Sequence, residues 1–83
     1  MKNHVYRIKL NDDSHKIALS YPDDTPIENV KALLREIVIS YYPQYNIGEL
    51  HRYSKDLMYV STGTDSIVLI YKSDELEGIY SLS

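Results

Sequence analysis

Apolar and polar positions alternate twice along the first twenty-one residues. Tyr6, Ile8 and Leu10 fall on one side of residues 5 to 10, with Val5, Arg7 and Lys9 on the other, and residues 15 to 21 alternate again. A period of two sends successive side chains to opposite faces of a strand. The stretch between, Asn11-Asp12-Asp13-Ser14, is rich in turn formers, and a loop centred on Asp12-Asp13 predicts a hairpin over about residues 4–21. In that register Leu10 faces His15, Ile8 faces Ile17, Tyr6 faces Leu19 and His4 faces Tyr21. Every large apolar residue except Val5 then shares one face, which is how a buried face fixes register. The other face carries Arg7, Lys9 and Lys16, with Lys9 and Lys16 directly across from each other.

The period then lengthens. Ile27, Val30, Leu34, Ile37 and Tyr41, with Leu33 and Val38 alongside, recur every three or four residues and predict an amphipathic helix over about 26–41. Thr25 is placed as its N-cap, with Pro26 at the first position and Glu28 completing a capping box. Lys31, Arg35 and Glu36 are left for solvent, and Pro43 disfavours helix at Tyr42. Leu50 to Tyr53 is a weak strand signal. Leu57 to Thr62 and Ser66 to Lys72 are strong ones, flanking Gly63-Thr64 as the centre of a tight turn. With Thr62 paired to Asp65, Met58, Val60, Ile67 and Leu69 share one face, and Leu57, Tyr59, Val68 and Ile70 the other. Ile79, Tyr80 and Leu82 suggest a last short edge strand, so that the C-terminal strands span about 49–82.

The expected architecture is one α+β domain over residues 1–83: an N-terminal hairpin, one helix and a C-terminal hairpin in a mixed four- to five-stranded sheet. In its order of elements over residues 4 to 72 it resembles the ubiquitin-like β-grasp fold. The resemblance implies that the first and last strands lie parallel at the centre of the sheet, with the helix on one face. Carriers and conjugated modifiers of that fold end in Gly-Gly, whereas this chain ends Ser81-Leu82-Ser83, so neither role is expected.

Composition narrows the function classes. At 43% hydrophobic and 25% charged, the chain has the make-up of a folded domain rather than of a disordered one. It has no cysteine, which removes disulfides and thiolate chemistry and fits a reducing, cytoplasmic setting. No apolar run reaches the length of a signal peptide or a membrane span, so no membrane association is expected. Nine tyrosines and no other benzenoid residue mean that every such ring carries a hydroxyl needing water or a partner. A net charge of −3 argues against nucleic-acid binding through the whole surface, leaving a local basic patch of Arg7, Lys9 and Lys16 as the surface for that reading.

No spacing brings a nucleophile to a base, and there is no phosphate loop or paired zinc spacing, so no catalytic residue, cofactor or metal ligand is assigned. Asp12-Asp13 and Asp23-Asp24 lack the spaced oxygens of a calcium loop and read as turn and cap residues. The second hairpin is apolar on both faces, and one helix covers only one. The set Leu57, Tyr59, Val68 and Ile70 is therefore either covered by the tail through Ile79, Tyr80 and Leu82 or the expected interface with a protein partner or a second copy of the chain. Tyr42, Tyr45, Arg52 and Tyr53 form a second candidate surface, because tyrosine and arginine are enriched at interface hot spots, the alternative being that these rings pack the helix end. The expectation is a small non-catalytic interaction module; its alternatives are an acidic inhibitor of the immunity or phage anti-defence kind, or a nucleic-acid binder.

Overall fold

The computed structural model describes residues 2–72. Among these residues five strands and one helix follow in the order β1 (Lys2–Leu10), β2 (Asp13–Tyr21), α1 (Ile27–Tyr41), β3 (His51–Arg52), β4 (Leu57–Ser61) and β5 (Ile67–Lys72). The strands form one sheet in the order β2-β1-β5-β4-β3, and every neighbouring pair is antiparallel. The fold is α+β. The expected last strand around Ile79 to Leu82 lies outside the described residues.

The antiparallel pairing of β1 with β5 departs from the parallel pair implied by the β-grasp resemblance, and the cause is parity. Three antiparallel strands follow the helix here, and the two-residue β3 takes up one pass of the chain. The final strand therefore arrives at β1 running the opposite way from one that follows only two passes. The mixed sheet becomes wholly antiparallel, with β2 and β3 at its two edges.

The first hairpin closes one residue earlier than expected. Asn11 takes φ 53°, a left-handed conformation that asparagine tolerates, and Asn11-Asp12 is the loop. Each cross-strand pair moves by two residues: Leu10 faces Asp13, Ile8 faces His15, Tyr6 faces Ile17 and His4 faces Leu19. Two is the side-chain period of a strand, so the faces survive. The cross-strand neighbours do change. Lys16 lies opposite Arg7, and Lys9 opposite Ser14.

The second hairpin slips by one. Its loop runs from Thr62 to Ser66, giving Val60 opposite Val68 and Met58 opposite Ile70. Thr62 organises this loop: its backbone N–H and its hydroxyl both donate to the Ser66 carbonyl, at 3.4 and 2.8 Å. Gly63 supplies the φ of 80° that the bend needs. A slip of one turns β5 over. Met58, Val60, Val68 and Ile70 now face the helix, while Leu57, Tyr59, Leu69 and Tyr71 face away.

The core lies between α1 and the inner sheet face. Val30, Leu34 and Val38 are the buried helix positions, packed with Ile8, Val60, Val68 and Ile70, none of which is exposed at all. Leu33 and Tyr41 stay largely exposed. The capping box does not form. Thr25 Oγ1 donates to the Pro22 carbonyl at 2.7 Å, closing a turn, and Pro26 rather than Thr25 stands at the N-cap with no side chain bonded to the helix end. Arg35, expected in solvent, is half-buried and donates to the Gly48 and Ile47 carbonyls at 2.8 and 3.0 Å. It fastens the loop that places Ile47 and Leu50 in the core.

Candidate functional site

Antiparallel register lets the outer sheet face be read as rows. One row runs Ser14, Lys9, Leu69, Tyr59, His51; the next runs Lys16, Arg7, Tyr71, Leu57. Leu69, Tyr59, Tyr71 and Leu57 thus form a two-by-two apolar block over β5 and β4, and Ile67 extends it at one end, 49% exposed. Lys9, Arg7 and Lys16 border the block on the β1 side, and His51, its ring 5.3 Å from that of Tyr59, borders it on the β3 side. Leu57, Tyr59 and Leu69 are half-buried, while Tyr71 is only 4% exposed.

The expected interface set is therefore divided. Leu57 and Tyr59 lie on the outer face, but Val68 and Ile70 are wholly buried under the helix, because the one-residue slip exchanged them for Leu69 and Tyr71. Sequence reasoning missed Leu69 and Tyr71. The available signal was Thr62, whose hydroxyl can close a longer loop against Ser66 in competition with the tight turn at Gly63-Thr64.

The basic patch does assemble on the same face. Arg7 donates to the Ser14 hydroxyl at 3.1 Å, and Arg7, Lys9, Lys16 and Tyr71 are all engaged within the molecule. The patch is a border to the apolar block rather than a row of waiting charges.

The second expected surface is split between the two ends of the molecule. Tyr42 and Tyr45 sit where the helix ends beside the β1–β2 turn; Arg52 and Tyr53 belong to β3 and the loop after it. Tyr42 is buried, and its hydroxyl donates to Asp13 Oδ2 at 2.7 Å. His15 Nε2 donates to the same oxygen at 2.8 Å, and its ring stacks on Tyr41 with centroids 4.2 Å apart. The Tyr42 and His15 hydrogen bonds hold the Asp13 carboxyl below its ordinary pKa. Burial and the Asp13 carboxylate push the Tyr42 phenol above its own. This cluster clamps the helix end to the hairpin turn.

The remaining histidines are distant in the register. His4 stacks on Tyr21 at the far end of β1 from the turn, and His51 lies on the β3 edge. Among the described residues no three His, Cys, Asp or Glu side chains gather as a metal site, and no helix is long and apolar enough to cross a membrane. No family model, curated protein or solved structure matches the chain.

Proposed function

We propose that this chain is a small non-catalytic interaction module that binds a protein partner through the outer face of its sheet. The observation that carries the reading is the apolar block of Leu57, Tyr59, Leu69 and Ile67 on the face opposite the helix. Apolar side chains standing together on one side of a sheet, rimmed by polar and charged residues, have the composition of an interface centre and its rim. Lys9, Arg7 and Lys16 along one border favour a partner that places acidic residues beside its apolar ones. The absence of cysteine suits work in a reducing compartment such as the cytoplasm.

The test is a photo-cross-linking amino acid placed at Tyr59 or Ile67 of the full chain in its cell of origin, with Leu33 on the exposed helix side as the control position. The expected result is one dominant protein adduct, or one adduct with a second copy, from the sheet positions and none from Leu33. Equal, unselective labelling from all three positions would contradict the reading, and adducts to nucleic acid alone would replace it with a nucleic-acid surface.

A further inference from the structure

The inner sheet face ends in a charged position where its pattern calls for an apolar one. Lys72 stands opposite Tyr6, in the row next to Ile8, Ile70 and Met58. Its ammonium lies 2.9 Å from His4 Nδ1 and 5.2 Å from the centre of the Tyr6 ring. An ammonium only donates, so Nδ1 accepts and the ring proton of His4 sits on Nε2. There it points to the Tyr21 carbonyl at 3.2 Å and the Asp23 carboxylate at 3.4 Å. Neither His4 nor the Tyr6 ring offers Lys72 a negative charge, and among the described residues it forms no ion pair. A half-buried cation with no counter-ion among the described residues is a position that an anion can complete.

The surroundings supply the rest of a site. Lys72 lines a cleft of about 270 Å3 between the start of α1 and the 52–56 loop, and Arg52 and Lys55 line the same cleft. Arg52 Nε is committed to the Ser54 carbonyl at 3.2 Å, which leaves the terminal nitrogens of its guanidinium. Ile27, in the first turn of α1, also borders the cleft; no side chain caps that helix end, whose partial positive charge faces the same way as the three cations, with Glu28 in that turn paired to Lys31 at 3.7 Å. Two carboxylates, Asp23 and Asp56, oppose them, but Asp23 is already shared between Lys2 at 3.7 Å and His4.

We propose that this cleft binds a small oxyanion, a phosphate or carboxylate group, between Lys72, Arg52 and Lys55. The site is separate from the outer sheet face and does not depend on its function. Its size falls just under the roughly 300 Å3 at which pockets for larger ligands begin, which suits a small anion or the head group of a larger one.

The experiment is an amide NMR titration of the full chain with inorganic phosphate and, separately, with acetate, each against sodium chloride at matched ionic strength. Saturating shifts are expected at Ile27, Glu28, the 52–56 loop and Lys72. Arg52→Gln and Lys72→Gln should each weaken binding about tenfold, equivalent to about 1.4 kcal/mol. Tighter binding of phosphate would mark a phosphate site, and tighter binding of acetate a carboxylate site. Arg52 is exposed, so Arg52→Gln still reports should Lys72→Gln disturb the fold. Shifts that never saturate, that chloride reproduces, that centre on Arg7 and Lys9, or that Arg52→Gln leaves unchanged would overturn the proposal.

Discussion

Single hydrogen bonds decide where this chain's connections close. Thr25 has the chemistry of an N-cap, yet its hydroxyl goes to Pro22 and closes a turn, so the helix begins without it. Arg35 has the chemistry of a solvent residue, yet two carbonyls hold its guanidinium at the base of a loop. Hydrogen bonds to charged groups are worth more than neutral ones, and the Arg35 stem is half-buried as well. Arg35→Ala should therefore cost about 2 to 4 kcal/mol in chemical unfolding, and Arg35→Lys should recover only part, having no planar fork.

At the helix end the sign follows from linkage. The folded pKa of Asp13 lies below its unfolded value, so its contribution is present above about pH 4 and is lost as pH falls through the folded value. The Tyr42 phenol is shifted the other way, so its contribution is complete below about pH 10 and is lost only as pH rises through the folded value. Tyr42→Phe should move the Asp13 carboxyl titration, followed by carbon NMR, upward toward the ordinary range. An unchanged Asp13 titration would show that the 2.7 Å bond does not form in solution.

At the scale of elements, both hairpins were legible in the sequence and both turns were placed wrongly, with unequal consequences. Around Asn11 the error displaced pairs by two residues and left every face intact. Around Gly63 it displaced them by one and exchanged Val68 and Ile70 for Leu69 and Tyr71 on the outer side. The reason is the strand's period of two, under which an even slip is silent and an odd one inverts. β5 gave no internal warning, because Ile67 to Tyr71 is apolar at every position and fits either face. The helix was legible because its stripe has one solution, and Val30, Leu34 and Val38 are its buried line. Gly63→Ala should destabilise by about 1 to 2 kcal/mol, since φ 80° strains any side chain and the new Cβ would stand 3.3 Å from that of Asn46. Asn11→Gly, at a left-handed position already tolerated, should be within about 0.5 kcal/mol of neutral. Both are read from urea unfolding.

At the scale of the molecule, the two-residue β3 matters more than its length suggests. It adds a pass, makes β5 antiparallel to β1, and leaves α1 to return the chain from one sheet edge toward the other. The helix accounts for one face of the sheet, and the function proposed here belongs to the other. For 83 residues the total stability expected is about 4 to 12 kcal/mol, and burying one unpaired carboxylate costs about 3 to 5 kcal/mol. An aspartate therefore has opposite meanings at adjacent positions of β5. Under the helix it removes a large part of the stability; on the outer face it leaves the fold and removes apolar contact surface.

The most direct test pairs Val68→Asp with Leu69→Asp, reading each for cooperative thermal unfolding and for cross-linking from a photoreactive residue at Tyr59. Leu69→Asp should melt cooperatively near the parent temperature and lose the Tyr59 adduct, whereas Val68→Asp should melt far lower or lose its cooperative transition. A folded Val68→Asp beside an unfolded Leu69→Asp would contradict the register, and a folded Leu69→Asp that keeps its full adduct would contradict the interaction face.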